Sequence, residues 1–173
     1  LYASARVVQG RRVADYPHVK ASFARLEGER RAALAAFFKM LAAVDAGDPA
    51  EDVLVPLLKV CVSKLGTDHL RAARLILAGN ATLRDFSVLP RIHEDALIQE
   101  IWEGTHPVLA AHVEKALRRR ASSAAFLALL APAQRRALED RLKSDAALPD
   151  DAREAAHESL CDAAYAALTE KLV

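Results

Sequence analysis

The sequence predicts an all-α fold: an up-and-down, four-helix-bundle-like domain with additional C-terminal helices. Two observations predict it. Over long stretches apolar residues recur every three or four positions, the spacing that lines one face of a helix. The composition is alanine-rich and only 5% aromatic, so the residue runs that favour strands are scarce. A chain of 173 residues can bury roughly two-thirds of its unfolded surface, enough for one domain with a true core. Lys and Arg number 24 against 23 Asp and Glu, and a net charge of +1 gives no global field that calls for nucleic acid or an anionic membrane. No apolar run approaches the roughly 20 residues of a membrane span, and no secretory pattern is present, so a soluble protein with no membrane partner is expected. Cys61 and Cys161 are too few and too isolated for a disulfide framework or a CxxC metal site. They are expected as buried thiols in a reducing cytoplasm. Leu1 stands where an initiating methionine would, so the chain is expected to be part of a longer protein.

In chain order, Leu1 to Gly10 is expected to be a helix end stopped at glycine. A long helix then runs from Tyr16-Pro17 to about Asp45, turning Val19, Phe23, Leu26, Leu34, Phe37, Leu41 and Val44 to the core. Glu27, Glu29, Arg30 and Arg31 are expected to be solvated charge, and Gly47-Asp48-Pro49 ends the helix. The second long helix starts near Asp52 to Val55, takes Pro56 in its first turn, and presents Leu54, Leu58, Cys61, Leu65, Ala72 and Ile76. Gly66 weakens its middle by about 1 kcal/mol relative to alanine, and His69 is expected to be packed and hydrogen-bonded. Leu77-Ala78-Gly79-Asn80-Ala81 is a turn signal. A short helix follows from about Leu89 to Leu97, with Arg91 and Asp95 four apart and placed to pair. The next, Thr105 to about Arg120, turns Leu109, His112, Val113, Ala116 and Leu117 inward and closes on Arg118-Arg119-Arg120, favourable at the negative end of a helix dipole.

Residues 121–173 hold two or three more helices. Ser122-Ser123 can start one before Phe126, Leu127, Leu129 and Leu130, and Pro132 the next, with Leu138 and Leu142. After the turn at Leu148-Pro149-Asp150-Asp151, the last helix buries Leu160, Ala164, Leu168 and Leu172. Glu154-Ala155-Ala156-His157 has the E-x-x-H spacing of a di-iron bundle, but a second copy is lacking and no metal site is predicted.

The chemistry concentrates in Ile98 to Pro107. Glu103 lies between Trp102 and Gly104, just before Thr105, which can cap the following helix, with Pro107 tolerated in its first turn. The helix dipole favours an ionised carboxylate there, while Trp102 and apolar neighbours would desolvate it and make it more basic. Such a carboxylate can serve as a general base; the plain alternative is dipole compensation.

Trp102-Glu103-Gly104-Thr105, preceded by Leu89-Pro90-Arg91-Ile92-His93-Glu94-Asp95-Ala96, resembles the end of the acyl-CoA dehydrogenase C-terminal domain. It is most similar to the branch with tryptophan in this motif, which includes adaptive-response acyl-CoA dehydrogenase-like proteins. Tyr2-Ala3-Ser4-Ala5-Arg6 and Leu77-Ala78-Gly79-Asn80-Ala81 resemble two further stretches of the family, and Lys59 after Pro56-Leu57-Leu58 fits its pattern. The family usually has Leu-Gly-Gly-Asn-Gly at the second of these, phenylalanine at Gln9, and arginine at Glu94. The resemblance covers about residues 1–120, implying a bundle there and a helical extension over 121–173 packed on it.

It also implies an FAD-dependent oxidoreductase. Glu103 would be the catalytic base for α,β-dehydrogenation of an acyl-CoA thioester. Arg6, Gly79, Asn80 and Thr105 would bind the flavin, in part across a subunit boundary, and Trp102 and Gly104 would line the substrate site. Expected partners are an acyl-CoA, an electron-transfer acceptor and further copies of the chain, as a homodimer or homotetramer. FAD is not expected to bind this piece alone, which should be inactive. The alternative function is a non-catalytic helical interaction module, or a nucleic-acid-associated one, with Arg118, Arg119 and Arg120 on its surface.

Overall fold

The computed structural model describes residues 1–170. As the sequence predicts, the fold is all-α apart from one small hairpin. The helix at the N-terminus, α1 (Tyr2–Ala5), ends at Arg6 rather than at Gly10. Beyond it, β1 (Val7–Val8) pairs antiparallel with β2 (Arg11–Arg12). Gln9 (φ 49°) and Gly10 (φ 76°) form the two-residue turn, whose two positive φ angles match the twist of a tight hairpin. The glycine expected to stop a helix is thus spent on a turn.

The next helix, α2 (Pro17–Ala46), has proline at its start and Gly47 (φ 60°) as its left-handed cap, as the sequence indicates. Its core face is not the expected one. Val19 is buried, but otherwise Ala32, Ala36 and Ala43 face inward, while Phe23, Leu34, Phe37, Leu41 and Val44 are exposed. Small residues let the α2 backbone come close to its neighbours, and the large side chains are left on the outside.

Central to the molecule is α3 (Glu51–Leu77). It begins early enough that Pro56 lies inside the helix, not in its first turn, so no N–H reaches the Asp52 carbonyl. Burial of Val53, Leu54, Leu57, Leu58, Val60 and Cys61 around it outweighs that loss. Leu65, Ala72 and Ile76, further along, are half-buried. Packed on α3 are α2, α4 (Leu89–Ile101), α5 (His106–Arg118), α6 (Arg120–Ala128) and α9 (His157–Thr169). Between α6 and α9 lie α7 (Pro132–Ala146), which starts on Pro132, and α8 (Asp150–Ala155). The core is continuous: Phe126, Leu127, Leu130, Leu138, Leu160, Cys161, Ala164 and Leu168 join the same cluster as the residues of α3 and α5.

Several expectations change in detail. His112 is exposed and Ala110 takes a buried place on α5. The arginine run straddles two helices, with Arg118 ending α5, Arg119 at the junction and Arg120 opening α6. Ser122 therefore does not start α6; it is buried and donates to Asp52 Oδ2 at 2.7 Å. Arg91 and Asp95 form no ion pair among the described residues, and Arg84 pairs with Glu94 instead. The E-x-x-H stretch is broken at Ala156, between α8 and α9, and no group of metal-ligating side chains is found among the described residues. Leu172 lies outside the described residues.

Candidate active site

The Glu103 loop is shaped by three successive backbone constraints. At the end of α4 the Trp102 N–H closes on the Ile98 carbonyl at 2.8 Å, and Trp102 then turns extended. Glu103 (φ 59°) and Gly104 (φ 122°) both take positive φ. A side chain at 104 would be strained by that angle, and its Cβ would sit 3.3 Å from Leu109 Cγ and Cδ2. Extended backbone at Thr105 then opens α5 as the N-cap, but the hydroxyl makes no capping bond. Thr105 holds the capping position without the expected capping contact.

Glu103 ends on the wall between two cavities. One is a groove of about 820 Å³ among α2, α3 and α4, lined chiefly by apolar residues including Leu34, Phe37, Val55, Leu58 and Val62. The other, of about 500 Å³, is polar and holds Lys59, His112, Lys115 and Arg119 together with Asp52. Glu103, Lys59 and Val55 line both. Trp102 is 58% exposed and Glu103 is exposed too, so within this chain the indole does not desolvate the carboxylate as expected. The Glu103 N–H has no hydrogen-bond partner among the described residues.

Arg6, Gly79 and Asn80 come together elsewhere, at the C-terminal end of α3. Tyr2 is the hub. Its hydroxyl donates to the Leu77 carbonyl at 3.3 Å and accepts from Asn80 Nδ2 at 2.9 Å and from the Arg6 guanidinium. Arg6 also lies over the Tyr2 ring, 5.5 Å from its centre, and Phe86 meets that ring edge-on. The unusual backbone in this loop belongs to Ala78 (φ 54°, ψ −140°), not to Gly79. Gly79 is exposed, with open space where a Cβ would project. From Lys59, beside Glu103, to Leu77 the chain runs about 27 Å along α3 at 1.5 Å per residue. The two sets of site residues therefore lie far apart along the helix.

Sequence reasoning passed over the contacts that hold the Glu103 loop on both sides. Lys59 reaches the Gln99 carbonyl, and Ser63 Oγ lies 2.9 Å from His106 Nε2. Their four-residue spacing puts both on one face of α3, but nothing in the sequence pairs them with Gln99 or His106. Nearby, His69 is half-buried and bonded to Glu29 Oε2 at 2.9 Å, so Glu29 is an inter-helix partner as well as a surface charge. Arg118 pairs with Glu114, and Arg119 with Asp52 at 3.0 Å. Asp52 is held below the ordinary carboxylate range, first by the Ser122 hydroxyl bond and then by Arg119.

Fold and site together define an all-α domain that offers an exposed carboxylate on the loop between α4 and α5. The model of the acyl-CoA dehydrogenase C-terminal domain matches residues 1–118, and the chain belongs to that family. The apo form of Bd2924 shares the fold with a TM-score of 0.84 at 21% identity, over 98% of this chain and 35% of that one. Caenorhabditis elegans ACDH-11, solved in complex with C11-CoA, does so with a TM-score of 0.78 at 20% identity, over 99% of this chain and 34% of that one. The chain thus spans about a third of the length of these two structures. Both likenesses take in nearly all of the C-terminal helices that the family model leaves out. Comparison with curated protein sequences gave no match.

Proposed function

We propose that the chain is the C-terminal domain of an FAD-dependent acyl-CoA dehydrogenase-like oxidoreductase and supplies its catalytic base, Glu103. The observation that carries this reading is the Glu103 loop itself: a carboxylate held at positive φ, where an apolar groove meets a basic cavity. Glu103 would take the α-proton of the thioester, and its uncommitted N–H would donate to the thioester carbonyl oxygen and favour the enolate-like charge. FAD, when bound, supplies the acceptor for the β-hydride. The donor set fits such a cofactor in its chemistry: an arginine fork at Arg6 and an open Gly79 backbone beside Asn80 at one end, a free hydroxyl at Thr105 at the other. Their separation supports the reading that one flavin draws on two copies of the chain. Trp102 and Gly104 would border the substrate, with an electron-transfer acceptor completing turnover in fatty acid metabolism.

Glu103→Gln in the full-length flavoprotein tests the base. Shape and flavin content should stay near wild type while bleaching of the flavin by acyl-CoA falls by about 10³-fold or more, the scale for a lost general base. Bleaching at the wild-type rate would sink the assignment. On its Trp-Glu-Gly-Thr motif we read the protein as similar to adaptive-response acyl-CoA dehydrogenase-like members.

We take residues 1–120 as the bundle and 121–173 as its extension. The isolated piece is read as inactive, because Glu103 is open to water, and as self-associating, because α2 and α4 expose apolar side chains. A cytoplasmic setting is read from two buried free thiols, and no described helix is long and apolar enough to cross a membrane. Pairing of Arg118 and Arg119 within the chain weakens the nucleic-acid alternative.

A further inference from the structure

The loop that carries Glu103 is tied to α3 on both sides. Before it, the Lys59 ammonium reaches the carbonyl of Gln99, in the last turn of α4. After it, His106, the first residue of α5, places Nε2 2.9 Å from Ser63 Oγ. Lys59 and Ser63 are one helical turn apart, and the Ser63 hydroxyl lies 2.6 Å from the Lys59 carbonyl, to which it donates. With its proton engaged there, Ser63 Oγ accepts from His106 in the tautomer that carries a proton on Nε2. That holds for the neutral ring and for imidazolium alike. Ser63 and His106 are half-buried, and Ser63 lines the same groove as Glu103.

We propose that the Ser63–His106 hydrogen bond is a positioning contact, which with the Lys59–Gln99 contact fixes the direction of the Glu103 carboxylate. Glu103 and Gly104 both sit at positive φ, a conformation that needs its flanks pinned. Two residues separate Glu103 from His106, so slack at His106 passes to the carboxylate through Gly104 and Thr105. The contact acts only through Glu103. This inference rests on the reading of Glu103 as the base.

The test uses the full-length flavoprotein, C11-CoA as substrate, and the rate of flavin bleaching per bound flavin. His106→Ala and Ser63→Ala should each lower that rate by about 10-fold or more with KM within about twofold, the pattern of a misaimed base. The double variant should be no slower than the worse single one, because both remove one contact. His106→Gln, whose Nε2 can donate from a similar place, and Ser63→Thr, which keeps the hydroxyl, should recover to within about threefold of wild type. Unchanged rates per flavin in both alanine variants, even with lost stability or flavin content, would overturn the positioning role. Glu103→Gln run alongside separates the two claims: bleaching that survives in that variant defeats the base itself.

Discussion

Ala78 occupies a backbone conformation, φ 54° and ψ −140°, that glycine enters freely and a Cβ resists. Ala78 therefore carries strain that a glycine at this position would relieve. Ala78→Gly should raise unfolding stability by about 1 kcal/mol, net of the extra freedom glycine gives the unfolded chain. A urea titration that shows no gain would refute this. Cys61 and Cys161 raise a different point. Burial pushes each thiol up from an ordinary 9.0 to about 12. Below pH 9 both states keep the proton, and the contribution to stability is fully present. Between 9 and 12 the unfolded chain releases protons that the folded chain retains, so stability is lost as pH rises. Urea midpoints should therefore drop between pH 8 and pH 10.5, and replacing both cysteines with alanine should flatten that part of the profile.

At the scale of elements, the boundaries written by proline and glycine were legible: Pro17 and Gly47 bracket α2, and Pro132 opens α7. The face of α2 was not. A spacing pattern ranks large apolar side chains above alanine, yet α2 is apolar on two sides, and only tertiary packing decides which side meets α3. The same limit hid Ser122, whose buried bond to Asp52 depends on α6 reaching the start of α3. For the site, the local loop around Glu103 could be read because its four residues are contiguous. The Ser63–His106 contact, across 43 positions, could not. The C-terminal helices share the core with α3 and α5, so they should unfold with them. Phe126 is fully buried, and Phe126→Ala should cost about 3–5 kcal/mol in one cooperative transition. Loss of α6 to α9 alone, seen as a separate early step by circular dichroism, would contradict a shared core.

For the whole molecule, α2 separates two tasks. Its alanine face packs inside, with Ala36 fully buried, while Phe37 and Leu34 stay 44% and 46% exposed. The isolated chain should therefore sediment as more than a monomer and show no saturable FAD binding. Leu34→Gln with Phe37→Ser should shift it toward monomer while moving unfolding free energy by only about 0.5 kcal/mol, as for other surface changes. A large loss of stability, or no change in sedimentation, would count against this division. The consequence reaches beyond this chain. When cohesion and contact surface occupy opposite sides of one helix, selection can rewrite what the domain docks against without first having to repair how it folds.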